Sequence, residues 1–101
     1  MNEAPTEALK EAVERLHECR ATHRESVGVR EEYHQDQIVW EGVVEVFNVD
    51  HPDTNTCYAW SSPVEGSERR KFYAVLKKPP INSPEAAVRA SIVKDYRDAQ
   101  K

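Results

Sequence analysis

Long apolar runs, cysteine and glycine are all scarce in this chain of 101 residues. It has two cysteines and three glycines, and no segment approaches the ~18 consecutive apolar residues of a membrane-spanning helix. Two cysteines are too few for a disulfide scaffold. The first twenty residues carry glutamates where a secretory leader has an apolar run. We therefore expect a cytoplasmic protein without a membrane partner.

Sequence motifs that specify a chemistry are also missing. The glycines Gly28, Gly42 and Gly66 are too far apart to form a phosphate-binding loop, and there is no Gly-x-Ser-x-Gly nucleophile turn. We expect no cofactor, and the sequence favours a binding domain over an enzyme.

Enough apolar residues are nevertheless present to build a core. Hydrophobic residues make up 39% of the chain and charged residues 32%, a composition typical of globular proteins. The length fits one domain. We predict a single domain over residues 1–101, with frayed ends at about 1–5 and 99–101.

The charge is distributed unevenly along the chain, although its total is only -4. Residues 1–50 contain 12 acidic and 5 basic residues, whereas residues 51–101 contain 6 acidic and 9 basic residues. The balance is therefore -7 in the first half and +3 in the second. Such asymmetry is typical of complementary surfaces, either within one fold or between two protein chains.

Two segments have the pattern of an amphipathic helix. In residues 6–24, Leu9, Val13, Leu16 and Cys19 recur at spacings of three and four, which predicts a helix with a narrow apolar stripe. Residues 84–98 follow a typical N-terminal signal, because Ser83 can cap the helix and Pro84 suits its first position. The buried stripe of this second helix is predicted to contain Val88, Ile92, Tyr96 and Ala99.

Four segments alternate or are rich in β-branched and aromatic residues, which favours strands. They are residues 27–33, 38–49, 56–62 and 69–77. The polar residues 34–37 would form a hairpin loop between the first two. The first segment is also compatible with a continuation of the N-terminal helix, so the sheet has three or four strands.

The predicted fold class is α+β. The elements are an N-terminal helix, an antiparallel meander of three or four strands and a C-terminal helix. Because the chain has no long parallel crossover, we expect both helices on one face of the sheet.

Histidine and cysteine side chains are the natural candidates for a metal site. His17, Cys19 and His23 are close in sequence, and His51 and Cys57 are the remote candidates. Zinc requires three or four such ligands. Cys19 continues the apolar stripe of the first helix, which favours burial in the core. We therefore predict no metal site.

A weaker possibility is a small hydrolase or ligand-binding pocket near His51 and Cys57. Asp50 or Asp53 would orient the imidazole, as covalent catalysis by a thiol requires. We predict no catalytic residues, since nothing else in the sequence specifies this group.

The aromatic residues of the strands are more informative. Tyr58 and Trp60 share one face of their strand, and Cys57 and Ala59 share the other. If the small residues face the helices, then Tyr58 and Trp60 form an exposed interface. The alternative register buries them instead. The full predicted partner-binding face contains Tyr58, Trp60, Tyr73, Val43 and Phe47.

These observations predict a domain that works by binding, either as a homodimer or as a regulator of a protein partner. Nucleic-acid binding is the alternative, because basic residues cluster around the last strand and phosphate binding requires such a cluster. The acidic first half of the chain opposes this alternative. The predicted nucleic-acid patch contains Arg69, Arg70, Lys71, Lys77 and Lys78.

Overall fold

A computed structural model describes residues 5–33, 37–63, 66 and 68–99 of the chain. The elements are α1 Thr6–His17, β1 Ala21–Tyr33, β2 Gln37–Val49, β3 Thr56–Pro63, β4 Arg70–Leu76 and α2 Pro84–Ala99. The strands form one antiparallel sheet in the order β1-β2-β3-β4. The predicted α+β class and the helix–meander–helix order are confirmed. Most of the predicted frayed ends and of the hairpin loop at 34–37 lies outside the described residues.

Helix α1 is shorter than predicted, and strand β1 is correspondingly longer. The helix ends at His17 because Glu18 takes a left-handed backbone conformation with φ of 51°. The carboxylate of Glu14 then accepts the N–H of Ala21 at 3.0 Å, which starts β1 six residues earlier than predicted. Leu16 of the predicted apolar stripe is exposed, so a longer helix would bury little additional apolar surface. Pairing with β2 instead satisfies the hydrogen bonds of a long run of backbone groups.

The hairpin of β1 and β2 joins the rest of the sheet over a short segment. β2 pairs with β3 only from Glu45 to Asn48. Farther along the hairpin, the indole N–H of Trp40 donates to the hydroxyl of Ser62 at 2.8 Å, which links β2 to β3. The Trp40 ring lies against Gly42, where a Cβ would stand only 2.9 Å from ring carbons. Position 42 therefore has room for a glycine but not for a larger residue unless the Trp40 ring moves.

The two helices cover opposite faces of the sheet, so the expectation that both lie on one face is wrong. Leu9 and Val13 of α1 pack with Cys57 and Ala59 in one buried cluster. Helix α2 packs with the alternate β3 residues Tyr58 and Trp60 in the other cluster. Successive strand residues point to opposite faces, and every residue from 56 to 61 of β3 is buried. A strand that is apolar on both faces requires cover on both.

The start of α2 matches its sequence signal. The Ser83 hydroxyl accepts the N–H of Ala86 at 3.1 Å, as expected of an N-cap. Val88 is buried and Ile92 packs against the same cluster, whereas the side chains of Tyr96 and Ala99 lie outside the described residues. Within the part of the chain that the structure describes, no helix is long and apolar enough to cross a membrane.

Candidate functional site

The predicted partner-binding face is not an exposed surface in this chain. Tyr58 and Trp60 are 4% and 2% exposed beneath α2. Phe47 is buried in the α1 cluster, and half-buried Val43 shares its face. In the β2–β3 register Val46 lies opposite Tyr58. Phe47 and Val43 point to the other side of β2, so they lie on the face opposite Tyr58, Trp60 and Tyr73. The predicted set is thus divided between two cores.

The aromatic residues form a buried stack that joins three strands to α2. The rings of Trp60 and Tyr73 are parallel at 5.1 Å, and Trp40 meets Trp60 edge-on at 6.3 Å. The Tyr73 hydroxyl donates to Asp95 of α2 at 2.6 Å. Burial and the Asp95 bond raise the pKa of Tyr73, so the phenol stays protonated. These contacts give the aromatic residues a structural role.

The predicted nucleic-acid patch does not form one surface. Lys71 pairs with Asp95 at 3.4 Å, Lys78 pairs with Asp53 at 3.5 Å, and Arg70 donates to the hydroxyl and carbonyl of Ser61. Lys71 lies near the start of β4 and Lys77 directly follows its end, so the two are six residues apart, about 20 Å at the rise of a strand. The basic residues therefore lie at opposite ends of β4 and several are engaged within the chain.

Among the contacts of the described residues, His51 and Cys57 do not pair as nucleophile and base. Cys57 is fully buried in the α1 cluster. Burial, with a smaller contribution from Cys19, raises the pKa of the Cys57 thiol to about 12, so the thiol is neutral near pH 7. His51 accepts the N–H of Asp53 through Nδ1 at 3.0 Å and its ring meets that of His17 edge-on. Across the described residues, no group of three or more His, Cys, Asp or Glu side chains is placed to hold a metal ion.

The structure also contains a polar cluster on β1 and β2 that no pattern in the sequence indicates. Glu45 Oε1 accepts hydrogen bonds from His23 Nε2 at 2.7 Å and from the Ser26 hydroxyl at 2.5 Å. In a catalytic triad the imidazole stands between the hydroxyl and the carboxylate, whereas here the carboxylate is central. The cluster therefore cross-links two strands, and only the register that pairs Ser26 with Glu45 brings it together.

The outer edge of β4 is the feature that points to binding. The N–H of Lys77 donates inward to the Thr56 carbonyl at 2.9 Å, and the β3–β4 register has no irregularity. Backbone groups alternate along an antiparallel strand, so those of Phe72 and Ala74 point away from the sheet. The bond from His17 Nε2 to the Ala74 carbonyl at 2.8 Å agrees with this direction. In the described part of the chain, the Phe72 backbone groups have no strand beside them.

A groove runs along this edge between the C-terminal part of α1 and helix α2, and we call it the β4 groove. Its largest part has a volume of about 400 Å³, and it continues into smaller spaces of about 330 Å³ beside α1 and about 380 Å³ beyond Val75. Leu16 and Phe72 line it and are 64% and 43% exposed. Val93, with 39% exposure, is on α2 outside the groove lining.

The charged residues that line the β4 groove are mainly basic. Its described lining contains one carboxylate, that of Asp95. Lys71 pairs with this carboxylate. The basic lining residues are Arg15, Lys71, Lys78 and Lys94. The groove thus combines an apolar wall with more basic than acidic side chains among its described lining residues.

The sequence contains a partial signal for this site. Leu16 belongs to the apolar stripe that the spacing predicts for the first helix, but it is the last apolar position of α1 and lines a space with Phe72 at the sheet edge. The last strand of a four-stranded meander is necessarily an edge strand, so the candidates for the site follow from topology once the strand order is known.

Comparisons with protein-family models, with curated proteins and with solved structures find no match to this chain. The site is therefore described by its own geometry: an edge strand with outward backbone groups, two exposed apolar side chains and a basic lining.

Proposed function

We propose that this protein is a non-enzymatic binding domain that holds a segment of a protein partner in the β4 groove. The observation that carries the proposal is the outer edge of β4, where, among the described residues, the backbone groups of Phe72 have no strand beside them and lie close to exposed Leu16 and Phe72 side chains. An edge strand of this kind is a template for pairing with another chain. Large exposed apolar side chains next to it would be covered in the same complex.

A partner of different sequence fits this edge better than a second copy of the chain. Antiparallel pairing of two β4 edges would bring Arg69 and Arg70 of each copy close to Lys77 and Lys78 of the other. Like charges directly opposite on neighbouring strands destabilise the pair. A homodimer through β4 is therefore disfavoured by electrostatics.

A protein segment also fits the groove better than nucleic acid. Lys71, Lys78 and Arg70 each have a partner within the chain, which reduces the charge that they can offer to phosphates. The exposed wall is formed by Leu16 and Phe72, and backbone N–H and C=O groups at a strand edge are complementary to another polypeptide backbone.

The test compares three variants that each place a carboxylate at an exposed apolar position. Leu16→Glu and Phe72→Glu alter the β4 groove, whereas Val93→Glu alters an exposed position outside its lining. Proteins retained by the immobilised domain would be quantified by mass spectrometry. Burial of one such side chain contributes about 1.5–3 kcal/mol, so each groove variant should retain its specific partner at least about tenfold less, with Val93→Glu unchanged.

Three results would contradict the proposal. Equal retention by all four proteins would show that the β4 groove is not the binding surface. If light scattering shows that the wild type is a dimer and that Phe72→Glu is a monomer, the occupant of the groove is a second copy of the chain. Salt-dependent binding of RNA or DNA that neither groove variant weakens would favour the nucleic-acid alternative.

A further inference from the structure

We propose that the occupant of the β4 groove is an extended acidic peptide that adds to β4 as a fifth strand of the sheet. This inference rests on the proposed function and specifies how the groove is filled. It is carried by three separate features of the β4 edge, namely its backbone groups, the spaces on its two sides and its charge.

The backbone of β4 offers a regular template for strand addition. All seven β4 residues, Arg70–Leu76, pair with β3 without a bulge, so their outward groups follow the normal spacing of a strand. The N–H and C=O of Phe72 and the N–H of Ala74 point outward. His17 occupies the Ala74 carbonyl, which sets one limit of the exposed edge. An added strand would therefore hydrogen-bond mainly beside Phe72.

Spaces exist on both sides of the added strand. On the α1 side, Ala12, Leu16 and Phe72 line a space of about 330 Å³. The space of about 400 Å³ begins at Leu16 and Phe72 and extends past Tyr73 to Ala90 on the α2 side. Because successive side chains of a strand point to opposite faces, an incoming peptide would place alternate side chains into these two spaces. Side chains on both faces of the peptide would therefore contribute to binding specificity.

The charge of the groove selects the peptide. Arg15 lies on the α1 side, Lys94 lies on the α2 side, and Lys78 lines the far end. Lys71 and Lys78 are paired with Asp95 and Asp53, so Arg15 and Lys94 are the basic residues that give the two sides of the groove a positive charge. Acidic residues at alternate positions of the peptide, or at its ends, complement this distribution. The contacts are partly exposed and should weaken with salt.

The experiment selects binders from a random decapeptide library displayed on phage. Wild-type protein is compared with Phe72→Pro, which removes the outward N–H while leaving the bonds from β4 to β3 in place. Phe72→Val is the matched control, since it shortens the side chain and keeps the N–H. We expect enriched peptides rich in Asp and Glu with alternating apolar residues. Their affinity should fall at least about tenfold in Phe72→Pro, and less in Phe72→Val.

A second measurement does not depend on the folding of a variant. The best selected peptide is synthesised with and without N-methylation of alternate backbone amides, and both forms are tested on wild-type protein. N-methylation on the edge facing β4 should abolish binding, whereas N-methylation on the other edge should not. Hydrogen exchange should show protection of the Phe72 and Ala74 amides in the complex.

The outcomes separate this inference from the proposed function. Peptides that bind in the groove but tolerate every N-methylation and leave both amides unprotected would overturn strand addition and leave the proposed function intact. Enrichment of neutral or basic peptides would overturn the acidic specificity. If wild-type protein enriches no peptide more strongly than the Leu16→Glu variant does, the inference is overturned. The proposed function is decided only by the retention experiment with Leu16→Glu, Phe72→Glu and Val93→Glu.

Discussion

The two edge strands of the sheet differ in how they meet solvent. β1 is 13 residues long, is interrupted by register shifts at His23/Glu25 and at Glu31/Glu32, and carries exposed Arg24, Glu25 and Arg30. β4 has 7 residues and an unbroken register, with exposed Phe72 at the middle of its edge. Bulges and charges are the usual means by which proteins prevent pairing at a sheet edge.

The difference indicates that only one edge is suited to accept another strand. On β1, the buried carboxylate of Glu31 also points inward, where Arg89 of α2 donates to it at 2.8 Å. An inward charge near an edge is a further obstacle to pairing. On β4, the two helices leave a groove beside the strand, so register shifts and charge protect β1 while β4 stays accessible.

The largest expected effect compares the two sides of β4. Tyr73→Pro removes an N–H that is directed toward β3 and disrupts the stack with Trp60. The free energy of unfolding, measured by urea denaturation, should fall by about 3 kcal/mol or more. Phe72→Pro, whose N–H points outward, should cost less than half as much.

Tyr73→Phe is the control, because it keeps the ring and the backbone N–H but removes the hydroxyl bonded to Asp95. It should cost about 1 kcal/mol. Equal losses for the two proline variants would show that Phe72 also donates to β3, and the outer edge of β4 would then be assigned to the wrong residues.

An intermediate effect is expected at the β1 edge. Arg89→Leu leaves the Glu31 carboxylate, whose side chain is 7% exposed, without its guanidinium partner. Stability in urea should fall by about 1–3 kcal/mol, and the double variant Glu31→Leu, Arg89→Leu should recover much of this loss. Arg24→Leu, which removes the exposed pair with Glu25, should change stability by less than about 0.5 kcal/mol. If Arg89→Leu were as harmless as Arg24→Leu, the inward charge would play no part at this edge.

The smallest effect concerns the boundary of the accessible edge. His17→Ala removes the donor to the Ala74 carbonyl and should lower stability in urea by about 1 kcal/mol. It should also lengthen the edge that a peptide can pair with. Hydrogen exchange would then show protection beyond Ala74 when a selected peptide is bound. Unchanged protection would mean that His17 does not limit strand addition.

Elements with strong local signals were predicted closely. Ser83 caps α2 and Pro84 begins it as expected, and β2 extends only one residue beyond its prediction. The end of α1 was missed because the helical spacing continues to Cys19. The competing interactions are the pairing of β1 with β2 and the bond from the Ala21 N–H to the carboxylate of Glu14. Such interactions have no local pattern.

The candidate site was predicted less well than the fold. Alternation in β3 correctly separates Tyr58 and Trp60 from Cys57 and Ala59, but it does not say which pair is covered. In this chain both pairs are buried, because the helices lie on opposite faces. Leu16 and Phe72, which line the β4 groove, lie 56 residues apart in sequence, and nothing in either segment predicts that they meet.

The sequence by itself determined the α+β class, the order of the elements, the cap of α2 and the charge asymmetry, because each depends on residue types and short spacings. Tertiary structure alone decided which face each helix covers, the burial of the aromatic residues and the position of an open edge between α1 and α2. These features depend on strand register and on contacts between distant residues, and the free energy of packing selects among arrangements that the local pattern allows equally.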